Sequence, residues 1–163
     1  MKKMLVVLAL VVAACGGTAG ASGPPEINYG RDICIECGMI IDDPRFAAGY
    51  RLSDGTEKTF DDLGGLIIQG REFDELQSAE VWVSDFEDKV LIAAADAFYV
   101  PTMGVNSPMG HGILAFSEES RAVAVATDLG GEVIGWEVVT ELPVVEGLVG
   151  HHHEMDESMD HDE

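Results

Sequence analysis

Ser53-Asp54-Gly55 separates two short runs, RFAAGYRL from Arg45 and TEKTF from Thr56, and no other feature restricts the fold of this chain as tightly. Asp-Gly allows the backbone conformations that a tight reversal between paired strands needs, so the segment predicts a β-hairpin. Asp61 and Asp62 follow at once. Their carboxylates suit a helix N-cap, Leu63, Leu66 and Ile67 supply an apolar stripe, and Gly70 is a stop. AEVWVSDF, residues 79–86, then alternates like a half-buried strand.

The same order can be drawn again downstream. DAFYV from Asp96 reads as a strand, PTMGVNSPMGHG (101–112) as a loop, and ILAF as the returning strand. Ser117 with Glu118 and Glu119 starts a helix, and Gly130-Gly131 ends it. Between them RAVAVATDL would also alternate as a strand, but the signals at both ends favour a helix. EVIGWEVV then reads as a closing strand. Each half is therefore strand, strand, helix, strand, which gives an α+β chain of two similar ββαβ modules over residues 26–88 and 89–146. Asp62-Leu63-Gly64-Gly65 and Asp128-Leu129-Gly130-Gly131 match letter for letter, yet the first opens a helix and the second closes one. Duplication thus rests on the order of elements and not on this match.

The two ends of the chain are of another kind. Lys2 and Lys3, an apolar run over residues 4–12, and small residues before Cys15 read as a signal peptide over residues 1–14. The run falls well short of the roughly 20 apolar residues that a permanent membrane span requires. Val12-Ala13-Ala14-Cys15 resembles a bacterial lipobox, which makes Cys15 the expected lipid anchor, with an ordinary secretory signal as the alternative. Residues 15–25 are small and flexible and form the expected tether, so that folding starts near Glu26. Residues 147–163 lack apolar periodicity and are expected to be disordered.

Thirty acidic against nine basic residues give a formal charge of -21. Phosphate binding needs basic patches, so nucleic acid is not an expected partner. Cations or a basic protein surface fit the charge, and solubility alone accounts for much of it.

DICIECGM (32–39) raises a sharper question, because Cys34, Cys37 and Met39 lie within six residues of an exported chain. A single C-x-x-C is compatible with half a zinc site, a redox pair or a structural disulfide. A second C-x-x-C or H-x-x-H is missing, which argues against a closed zinc site, and Gly38 with Asp43-Pro44 argues against the long helix of a thioredoxin-type motif. The remaining soft donors are concentrated in two further segments. Met103, Met109 and His111 lie in the 101–112 loop; His151, His152, His153, Met155, Met159 and His161 lie in the tail. Thiolate and thioether favour Cu(I) over harder ions. Cys37 and Met39 can reach one ion if Gly38 lets the backbone fold tightly, Met109 is the natural third donor, and Met103 and His111 are reserves.

These segments in order, DICIECGM, RFAAGY, DGTEKTFDDLGGL, AFYV, SPMGHGILAF and GGEVI, resemble the NosL family over about residues 32–139. That resemblance implies a lipid-anchored Cu(I) chaperone of the cell envelope, on the extracytoplasmic side of a membrane, serving nitrous oxide reductase and its ABC-transporter assembly complex. It also implies two ββαβ modules related to organomercurial lyase. By the resemblance the ligands are Cys37 and Met39 in a C-x-M pattern, with Met109 from the later loop. Some members lack the counterpart of Cys34, and the His/Met tail is not part of the family pattern. Two other functions compete with this reading, namely thiol-disulfide exchange by Cys34 and Cys37, and metal buffering by the tail. No catalytic constellation is visible in the sequence, so an enzyme is not expected.

Overall fold

The computed structural model describes residues 23–143. The expected signal peptide, Cys15, most of the expected tether and the His/Met segment at the end lie outside the described residues. Packing begins before Glu26. Pro25 is buried, and Gly23 offers its carbonyl to the Arg51 guanidinium at 2.7 Å, so the last residues of the expected tether are docked on the first sheet.

Asp54 and Gly55 make the predicted reversal. The Asp54 carboxylate accepts from the Thr56 N–H at 2.8 Å, and Gly55 takes a φ of 88°, a left-handed backbone that glycine adopts without strain. This turn sets β1 (Ala48–Arg51) antiparallel to β2 (Glu57–Phe60), with Ala48 opposite Phe60 and Arg51 opposite Glu57. β3 (Glu80–Ser84) pairs with the other edge of β1. A fourth strand, β4 (Leu91–Ala93), is too short to show an alternation in the sequence and completes the order β2-β1-β3-β4.

Helix α1 (Leu63–Glu72) covers this sheet with Leu63, Leu66 and Ile67 buried. It runs on past Gly70, because that glycine is there to admit Leu76. A methyl group at Gly70 would lie 2.4 Å from Leu76 Cδ2.

In the second half β5 (Phe98–Pro101) and β6 (Ile113–Phe116) pair antiparallel, and α2 (Glu119–Leu129) follows, so RAVAVATDL is indeed helical. Its start differs from expectation. The Ser117 hydroxyl donates to Asp85 at 2.8 Å instead of capping the helix. The expected closing strand is a correction. Only Ile134 bridges to Tyr99, through bonds of 2.9 Å in each direction, and the chain then turns into the short helix α3 (Trp136–Val139). Trp136 and Val139 are spaced for one helical face. Val139 is fully buried and the Trp136 ring lies 5.8 Å from that of Tyr99. β6, β5 and Ile134 nevertheless repeat the neighbour order of β2, β1 and β3, so the second half is the first with its last strand reduced to one bridge.

The halves are not independent. One buried cluster joins Tyr50, Phe60 and Leu66 of the first with Tyr99, Ile113 and Val139 of the second, while Phe46, Val100, Leu114 and Phe116 form another. No helix among the described residues is long and apolar enough to cross a membrane.

Candidate metal centre

The cysteines sit on a tight hairpin. Ile33 bridges Ile40, the Cys34 N–H reaches the Met39 carbonyl at 2.8 Å, and the Gly38 N–H returns to the Cys34 carbonyl at 2.9 Å. Gly38 closes this turn with a φ of 73°, which is why glycine follows the second cysteine. The Ile35 N–H donates to the Thr59 carbonyl at 3.0 Å and fixes the hairpin to the outer edge of β2.

Cys34 is buried and Cys37 half-buried, and both are free thiols. The Cys37 Sγ lies 3.5 Å from Asp61 Oδ2 and 3.6 Å from Asp61 Oδ1. One donor atom each from Cys34, Glu36 and Cys37 fall within 4.8 Å of one another. Burial pushes the Cys37 thiol up to about 12; the Met39 N–H opposes this, while Cys34 and the Asp61 charge reinforce it. Burial likewise raises Cys34, with the Asp61 and Cys37 amides pulling it partly back. A nucleophilic cysteine needs the opposite shift. A metal ion also binds the thiolate, so ligation by this pair has to displace both protons.

The second segment is brought to the same place by the neighbouring aspartate. Asp62 is fully buried and caps α1 by accepting from the Gly64 N–H at 2.9 Å. Its other oxygen accepts from the Ser107 hydroxyl and from the Met109 N–H at 3.0 Å. Asp61 therefore contacts the thiol hairpin while Asp62 pins the methionine loop. The first glycine after them makes room for what arrives. A methyl group at Gly64 would lie 2.1–2.4 Å from His111 carbons, whereas one at Gly65 would be in ordinary contact, 3.5 Å from Glu36 Oε2. Both His111 ring nitrogens are buried and make no hydrogen bond among the described residues.

Met109 is half-buried beside this junction, whereas Met39 is 45% exposed at the hairpin edge. Met103 goes elsewhere. It is 79% exposed, in the part of the loop that packs on Leu129 at the far end of α2, where the Thr102 hydroxyl donates to the Leu129 carbonyl at 3.4 Å. The sequence reading missed Glu36 and Asp61 as neighbours of the thiols. With thirty acids in the chain their type carried no signal; the one available cue was the position of Glu36 inside the C-x-x-C itself.

Comparison with known proteins gives consistent results. Residues 29–144 match the family model described as NosL. The copper-binding lipoprotein NosL of Stutzerimonas stutzeri is 28% identical over 162 residues, an alignment covering 91% of this chain and 84% of that protein. The crystal structure of the copper chaperone NosL from Shewanella denitrificans has the same fold, with a TM-score of 0.62 at 23% identity over 73% of this chain and 96% of that one.

Proposed function

We propose, from the premise that this chain belongs to the NosL family, that it is a copper chaperone that carries one Cu(I) as cargo and hands it on by ligand exchange. The observation that supports this most directly is the junction at Asp61 and Asp62, where adjacent residues hold the hairpin of Cys34 and Cys37 and the loop of Met109. Cys37, Met39 and Met109 are the proposed ligands. Sulfur donors of this kind select a soft monovalent ion, and three of them leave a position open through which an acceptor can enter. Cys34, with its buried thiol, and Glu36 are the next donors, and His111 is a reserve beyond them. Met103 is set aside because it belongs to the far side of its loop.

The carrier is proposed to act outside the cytoplasmic membrane, held there by a lipid on Cys15, and to serve nitrous oxide reductase and its transporter assembly complex. Ligand exchange needs no covalent chemistry, so the protein is read as a carrier and not as an enzyme. The raised thiols weigh against thiol-disulfide exchange.

Titration of the reduced protein with Cu(I) against a competing chelator tests the site. Cys37→Ser, Met39→Ala and Met109→Ala should each weaken binding by tenfold or more, and unchanged affinity in all three rejects it. Removal of residues 151–163 should leave one tight site; loss of all binding would assign the metal to the tail.

A further inference from the structure

Exposed apolar side chains are not spread evenly over this molecule. Of the ten large ones exposed among the described residues, five, namely Tyr29, Ile33, Ile35, Met39 and Ile40, fall within twelve consecutive positions. Ile33, Ile35 and Ile40 are 52%, 54% and 53% exposed. Scattered single cases are ordinary, but a concentration of this kind marks a surface that meets something. Local folding does not require them, because Cys34 and Ile41 are the residues by which the hairpin is buried. Ile33 and Ile40 are bridge partners, so their side chains lie side by side, and Ile35 is two residues further along the same arm.

Charge narrows the choice of occupant. Asp32, Glu36, Asp42 and Asp43 stand in or beside the patch against two cations, the exposed Arg31 and an Arg45 already paired with Asp43 at 2.6 Å, and the whole chain carries -21. A second copy would set acid against acid, and an anionic bilayer would be repelled. A protein surface with an apolar centre and a lysine or arginine rim meets both features of the patch.

We infer that the hairpin of residues 33–40 is a docking face for such a protein, with Ile33, Ile35 and Ile40 as the apolar contact and Met39 at its edge where the metal changes hands. The part played by Met39 rests on the copper-carrier reading; the docking face does not.

The test uses the full mature chain without metal and three synthetic amphipathic helices. The first has a leucine face with a lysine rim, the second a leucine face with a glutamate rim, and the third lysines without an apolar face. The first should bind at least tenfold more tightly than either control and shift backbone NMR signals of residues 29–43. Ile33→Ser/Ile35→Ser/Ile40→Ser should remove that preference while Cu(I) affinity, read by chelator competition, stays the same. Ile35→Ser alone should give part of the loss. Signal shifts centred elsewhere, or a triple variant that binds as well as the parent, overturns the inference. So does patch-dependent binding to phosphatidylcholine vesicles, or patch-dependent self-association in sedimentation, when the helices are not distinguished. Failure of the copper reading would be seen separately, as a parent protein without Cu(I) affinity.

Discussion

The tetrapeptide Asp-Leu-Gly-Gly occurs at residues 62–65 and again at 128–131, and the two copies perform opposite tasks. In the first, a buried aspartate caps α1 and ties down the Met109 loop, and Gly64 gives space to His111. In the second, the aspartate is exposed in the last turn of α2 and Gly130 ends the helix with a φ of 73°. Gly131 then donates to the Ala126 carbonyl at 2.8 Å and passes close to Val100. Four letters therefore start a helix and hold a loop in one place and stop a helix in the other. What decides between them is whether other segments deliver donors and side chains to the backbone that the letters leave open.

The largest expected difference follows from the aspartates. Asp62→Ala removes a cap, worth about 1 kcal/mol, and leaves the Ser107 and Met109 donors without their acceptor, each at roughly 1 kcal/mol or more. The total should be about 3 kcal/mol in denaturant unfolding, with weakened Cu(I) binding as the methionine loop comes loose. Asp128→Ala, on an exposed side chain, should stay within about 0.5 kcal/mol. Equal losses at the two positions would show that the contacts of Asp62 do not carry the difference. Asp62→Asn keeps one acceptor and should lie between them.

The glycines sharpen the comparison at a smaller scale. Alanine at Gly64 meets the near end of the His111 side chain, which cannot swing clear by rotating its tip. The loop must shift, at roughly 1–3 kcal/mol and with an accompanying loss of Cu(I) affinity. At Gly130 a methyl group meets open space and only the left-handed backbone resists, so Gly130→Ala should cost about 1 kcal/mol and leave metal binding alone. Binding lost in both variants would mean that the far end of α2 also shapes the site.

Much of this was legible in the letters, for identifiable reasons. The Asp-Gly turn, the cap at Asp62 and the glycine stop after α2 are local signals, and each is found where the sequence puts it, although α1 runs on past Gly70. EVIGWEVV misled because its apolar residues fit both an alternating strand and the i, i+3 spacing of Trp136 and Val139. The choice was made by burial against Tyr99, which no local rule contains. Of the candidate site, the concentration of soft donors in loops was legible, and two of those loops meet at Asp61 and Asp62. The junction that organises them was not, because Asp61 and Asp62 both read as caps. Asp61 is instead turned toward the Cys37 thiol, a contact 24 residues apart in sequence.

A finer contrast concerns how each helix is anchored at its start. α1 carries its own cap, whereas α2 has no side-chain cap and depends on Asp85, which sits beyond the end of β3 in the other half. Asp85 is fully buried, accepts from the Ser117 N–H at 2.7 Å and faces the Arg121 guanidinium at 3.2 Å. Burial alone would raise its carboxyl; the N–H groups of Asp88, Ser117 and Glu87 and the Ser117 hydroxyl outweigh that and hold it below the ordinary range. A carboxyl depressed in the folded state contributes stability that is complete above its unfolded value, about 3.9, and is lost as pH falls through the lower folded value. Asp85→Asn lacks this contribution at every pH. The stability gap between parent and variant should therefore hold steady from neutral pH down to about 4 and close below it. Urea unfolding at a series of pH values measures the gap. If it persists undiminished into strong acid, the charge of Asp85 is not what holds α2 to the first half, and the shape of the Ser117 turn alone must do so.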